Sequence, residues 1–86
     1  MLPKWKHPQM RHLRSARHRK LIELLVDARQ ASGLSQRTLA ARLKRSPSYV
    51  SKFEAGERRL EVCEFIDLCA VIDADPEGLV RQLKRS

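Results

Sequence analysis

The chain has 86 residues, 42% of them hydrophobic, with 18 Lys and Arg against 10 Asp and Glu and a formal net charge of +8. So short a chain forms one domain, because it buries only about 60% of its unfolded surface and cannot divide that core further. The charge points to a polyanionic partner, nucleic acid first and an anionic membrane surface second. No stretch approaches the roughly 18 apolar residues of a membrane span, and the N-terminus lacks the apolar run of a secretory signal, so the expected location is the cytoplasm.

Residues 1–14, MLPKWKHPQMRHLR, contain two prolines and no sustained period, and read as a flexible basic arm. Residues 15–86 are the expected folded domain. From Ser15 to Ser32, Leu21, Leu24, Leu25 and Ala28 recur at helical spacing, with Ile22 and Val26 widening the stripe. Gly33 is a stop signal that tolerates positive φ, and Ser35 is an N-cap for a second helix over 36–43 that buries Leu39 and Leu43. Ser46 then caps a third helix over 47–54, with Pro47 at the first helical position, where a missing N–H costs nothing. Gly56 supplies the exit turn. A fourth helix is expected over 60–72, with Val62, Phe65, Ile66 and Cys69 on one face and Leu68, Val71 and Ile72 on another. Asp75 and Pro76 repeat the cap-and-proline start, and Leu79, Val80 and Leu83 define a last helix over 76–83. With no strand signal, the fold class is all-α.

Charge is segregated along these elements. Residues 1–20 hold basic residues and His7, His12 and His18 without an acid, and a second basic block runs from Arg29 to Lys52 without a carboxylate. Between Glu54 and Glu77 the sign reverses. The three histidines have no acidic neighbours and the glycines form no phosphate loop, so nothing points to catalysis, a metal or a cofactor. Cys63 and Cys69 lie about 240° apart around a helix and about 9 Å along it, too divergent to bridge, and read as reduced core residues.

Segment 35–54, SQRTLAARLKRSPSYVSKFE, joins two short helices by a tight turn and has the layout of a DNA-reading helix-turn-helix. A helix in the major groove needs its cap end near phosphate, small or amide side chains facing base edges, and apolar anchors behind. The third helix satisfies this with Val50 and Phe53 as anchors, Ser48, Ser51 and Lys52 on the outward arc, and Tyr49 at its margin, either packed on Arg45 or Lys52 or touching phosphate.

GLSQ before the second helix, LA within it, SYVSKFE in the third and AGERRL after it together resemble the phage repressor and Cro-like, or XRE, helix-turn-helix family. The resemblance spans about residues 17–83 and implies a five-helix, lambda-repressor-like domain that binds double-stranded DNA. It implies base-facing positions at Gln36, Pro47, Ser48 and Lys52. Phosphate-flanking positions fall at Ser35, Arg37, Arg45, Ser46, Tyr49, Ser51, Arg58 and Arg59. It further implies an ion pair between Arg29 and Glu54. Two residues depart from the family pattern: Lys44 stands where many members have glycine, at a cost of roughly 1–2 kcal/mol if it turns left-handed, and Pro47 stands where an amide often reads a base. The expected function is a transcriptional repressor, not an enzyme, acting as a homodimer on a palindromic operator. The second apolar face around Leu68, Val71, Leu79 and Val80 is the candidate dimer interface. The alternatives are an antitoxin with a toxin partner, a restriction-modification controller, or an interaction module that binds polyanions without sequence preference.

Overall fold

The computed structural model describes residues 15–85, which form five helices in the order α1 (Ala16–Ala31), α2 (Gln36–Arg42), α3 (Pro47–Glu54), α4 (Val62–Val71) and α5 (Pro76–Arg85). The basic arm over 1–14 and its Trp5 lie outside the described residues. No strand occurs among the described residues.

Helix starts follow side-chain chemistry. The Ser15 hydroxyl accepts from the His18 N–H at the head of α1, and Ser35 accepts from the Thr38 N–H at the head of α2. At α4 the cap is Glu61, whose carboxylate accepts from the Cys63 and Glu64 N–H groups while Glu64 accepts from the Glu61 N–H. This capping box starts α4 at Val62, so Leu60 lies before the helix instead of opening it. Ser46 has the extended backbone of a cap but no capping hydrogen bond; its hydroxyl instead hydrogen-bonds the Ser48 hydroxyl at 3.0 Å.

The ends of α1, α2, α3 and α4 share one device. Leu34, Arg45, Glu57 and Ala74 donate back to the Arg29, Ala40, Lys52 and Cys69 carbonyls, and the residue before each of them makes a left-handed turn. Gly33 and Gly56 adopt that conformation freely, whereas Lys44 (φ 58°) and Asp73 (φ 56°) do so with a Cβ. The four turns are what fold five short helices around one centre.

That centre contains Leu25 of α1, Leu39 of α2, Val50 and Phe53 of α3, and Leu68, Cys69 and Ile72 at α4 and its end, all essentially solvent-free. Each such side chain contributes about 1.5–3 kcal/mol of burial. Helix α3 packs on both α2 and α1, and α5 packs on α1 and α4, so the helix with the outward serines is held from behind by two others.

Three expectations need correction. Leu68 and Leu79 belong to the core, at 1% and 8% exposure, and cannot line an outward face. The face of α4 carrying Val62 and Ile66 points to solvent, because the Leu68, Cys69 and Ile72 side joins the buried core. Cys63 is exposed, and only Cys69 is a core residue.

Candidate nucleic-acid interface

Helix α3 presents Pro47, Ser48, Ser51 and Lys52 to solvent and buries Tyr49, Val50 and Phe53. Its period dictates the split, since residues three and four apart share a face. The Ser51 hydroxyl donates to the Ser48 carbonyl at 3.1 Å, and Ser48 is tied to Ser46, so the short hydroxyls lie close to the helix and leave its surface open to an approaching groove. Beside them stand the exposed Ser35, Arg37 and Thr38 at the head of α2, and the exposed Arg42, Lys44 and Arg45 at its end. Arg59 is exposed and Arg58 half-buried in the loop that follows α3. The segments that flank α3 in the chain are thus rich in exposed or half-exposed basic side chains.

Glu54, at the last turn of α3, anchors the helix to α1. Arg29 Nε donates to Glu54 Oε2 at 2.7 Å and Arg29 Nη2 to Oε1 at 3.1 Å, a bidentate pair whose side chains are 11% and 7% exposed. Arg29 Nη1 also donates to the Leu34 carbonyl at 2.8 Å, which ties the α1–α2 turn into the same knot. Gln36 completes it, its Nε2 donating to Glu54 Oε1 at 2.8 Å. The amide of Gln36 is thus at least partly committed, since its nitrogen holds Glu54.

At the other end of α3, Tyr49 is only 7% exposed and sits against Phe53, edge to face. The Arg45 guanidinium lies 4.6 Å and the Arg58 guanidinium 4.8 Å from its ring centre. Both arginines donate from Nη2 to one oxygen, Glu64 Oε2, at 2.9 and 2.7 Å. The Glu61 N–H holds the Glu64 carboxyl below its usual range; burial opposes this, and Arg58 and Arg45 add to it. Burial pushes the Tyr49 phenol up, and the nearby Glu64 carboxylate is the next largest cause in the same direction. Tyr49 is thus packed against both arginines.

A helix-turn-helix domain family model matches residues 9–83. Among solved structures, an XRE-family-like protein from Pseudomonas syringae pv. tomato str. DC3000 is 44% identical, with a TM-score of 0.81 over 92% of this chain and 96% of that one. No curated protein gives a significant match. The chain belongs to the XRE-type helix-turn-helix family.

As a member of that family it falls among DNA-binding transcription regulators. In this XRE-type domain the turn between α2 and α3 keeps its left-handed geometry without the glycine common at that place, because the Arg45 N–H to Ala40 carbonyl bond of 2.9 Å closes it around Lys44. Pro47 stands at the exposed start of α3 with no polar group to offer a base. Two residues of the site are not evident from sequence: Glu64, whose position among acids resembles a solvated surface, and Thr38, whose hydroxyl accepts from Ser35 Oγ at 3.0 Å. The two glutamates spaced as Glu61 and Glu64 are the available signal for the first. The Ser-x-x-Thr spacing of Ser35 and Thr38 is that for the second.

Proposed function

We propose that the protein is a sequence-specific transcriptional regulator that represses by laying α3 in the major groove of a palindromic operator. The observation that carries this reading is the fixing of α3 at both ends, by the Arg29–Glu54–Gln36 knot and by the Tyr49 arginine stack, while Ser48, Ser51 and Lys52 stay exposed between them. A rigid helix with small polar side chains and one long cation suits base-edge contact. In this reading Lys52 takes a guanine edge, Ser48 an adjacent base, and Pro47 packs on a base without reading it. Gln36, Ser35, Arg37, Ser46, Ser51 and Arg59 face phosphates, and DNA shape supplies part of the discrimination.

Action as a homodimer is the second part of the proposal. Support comes from an apolar groove between α4 and α5 lined by Val62, Phe65, Ile66 and Val80, in which Val62 is 72%, Ile66 50% and Val80 44% exposed. Two copies of α5 crossing antiparallel at Val80 would set Glu77 of one beside Lys84 of the other. Two-fold symmetry would then offer two α3 helices to half-sites about 34 Å apart. Light scattering at tens of micromolar tests it, with twice the 10.0 kDa chain mass expected and a monomer mass removing the proposal. The same groove fits an apolar helix of a protein partner, which keeps an antitoxin or a controller protein as the second reading; a monomer that captures a co-encoded partner would favour it.

The DNA reading is tested by selecting random duplexes with the purified protein at near-physiological salt. Enrichment of a palindrome preferred by about 10³-fold or more is expected. Binding that is equal for all duplexes and falls uniformly with salt would reduce the protein to a polyanion-binding module.

A further inference from the structure

Glu64 does something unusual for a carboxylate beside a candidate DNA surface. It neutralises two of the arginines that a phosphate backbone would attract, one from the turn before α3 and one from the loop after it. Its Oε2 accepts from both Arg45 and Arg58, its Oε1 accepts from the Glu61 N–H at 3.0 Å, and its side chain is only 12% exposed. The arginines themselves are 46% and 36% exposed, and each reaches Glu64 through Nη2, one of the several donor groups of a guanidinium. The Tyr49 ring sets the positions of both guanidinium groups. A planar donor held in place this way loses less freedom when it meets a phosphate than a free arginine does.

We propose that Glu64 is a positioning residue for DNA: it binds Arg45 and Arg58 into one phosphate clamp over Tyr49, weakening attraction to arbitrary duplex while fixing the geometry that fits the operator. Two arginines free of the carboxylate engage any phosphate in reach. Held by it, they reach a phosphate without rearrangement only where α3 is seated in its groove, and the cluster acts with a net charge of one instead of two. The inference rests on the DNA-binding reading above.

The test compares wild type, Glu64→Gln and Glu64→Asp, on the selected operator and on a random duplex, across a salt series. Circular dichroism confirms folding of each. Glu64→Gln is expected to bind random duplex more tightly, with the slope of log affinity against log salt steeper by about 0.9, the value of one further phosphate contact. Its operator preference is expected to fall about tenfold, within the range seen when members of one ion-pair network are uncoupled. Glu64→Asp keeps the charge but shortens the reach, so the slope stays at the wild-type value while the preference falls. A purely structural Glu64 would lower both affinities alongside the melting temperature and leave the slope of Glu64→Gln unchanged, which overturns the proposal. If neither variant folds, the side-chain Nε resonances of Arg45 and Arg58 in the wild-type protein decide: shifts along one common curve during titration with random duplex support the clamp, and independent curves overturn it. A wild-type protein without operator preference refutes the DNA reading itself, whereas an operator preference that Glu64→Gln retains refutes only the role of Glu64.

Discussion

Replacing Glu54 with alanine removes three accepted hydrogen bonds at once, two from Arg29 and one from Gln36, and leaves the Arg29 guanidinium 11% exposed with no counter-charge. Breaking a buried pair by deleting one partner costs about 3–5 kcal/mol, mainly through the stranded charge. At roughly 0.05–0.15 kcal/mol per residue, the whole domain is worth about 4–13 kcal/mol, so the loss is a large part of the total. Each kcal/mol lowers the melting temperature of a domain this size by about 4–8 °C, which puts the expected fall at about 12 °C or more. Thermal unfolding followed by circular dichroism measures it. The built-in control is Arg81→Ala: Arg81 lies 3.8 Å from Asp75 with side chains 62% and 67% exposed, and an exposed pair is worth at most about 1 kcal/mol. The double replacement Arg29→Met with Glu54→Leu should recover much of the loss, since no charge is then stranded. Equal, small shifts for Glu54→Ala and Arg81→Ala would refute the claim that this knot fixes α3 to α1.

Lys44→Gly should raise stability by about 0.5–1 kcal/mol, the left-handed strain relieved less the extra freedom of glycine in the unfolded chain; a lower melting temperature would show that the turn is unstrained. Burial pushes the Cys69 thiol up to about 11, with Asp75 adding to it. Native protein at pH 8 should therefore take one iodoacetamide, at the exposed Cys63, and two in urea; two in native buffer, read by mass spectrometry, contradict the packing of α4. The same raised Cys69 value means that its contribution to stability is complete below pH 9.0 and lost as pH rises through about 11. His18 is shifted down from 6.5, by burial first and by Arg59 second, and its Nε2 is buried without a hydrogen-bond partner among the described residues. A depressed histidine stabilises the fold above its unfolded value and ceases to do so as pH falls through the folded one. Urea midpoints should fall on acidification below about 6.5 and His18→Gln should flatten that limb; an unchanged limb would place the acid sensitivity elsewhere.

Local chemistry made most of the fold legible. Ser15, Ser35, Pro47 and Pro76 mark the starts of α1, α2, α3 and α5, and Gly33 and Gly56 the stops of α1 and α3, to within a residue or two, because each acts on backbone groups only a few residues away. The fourth helix was harder, since apolar residues ring it and periodicity alone does not say which face turns inward. Val62 and Ile66 proved exposed while Leu68 and Ile72 filled the core. At the candidate site, the outward arc of α3 follows from its period, whereas the Tyr49 stack joins the α2–α3 turn, α3, the following loop and α4. No spacing along the chain encodes that meeting. Gln36 shows the same limit: its amide suits a base or a phosphate, yet its nitrogen is spent on Glu54, which only the packed structure brings within 2.8 Å.

Sequence reading by α3 through Lys52 is tested by the affinity of wild type and Lys52→Ala for the selected operator, for its single-base variants and for random duplex at one salt concentration. Lys52→Ala should lose about 1–3 kcal/mol on the operator, relax preference at one base pair in each half-site, and change random-duplex binding only slightly. An equal loss on every duplex, with all base preferences intact, would contradict base reading by Lys52 and leave it a phosphate contact.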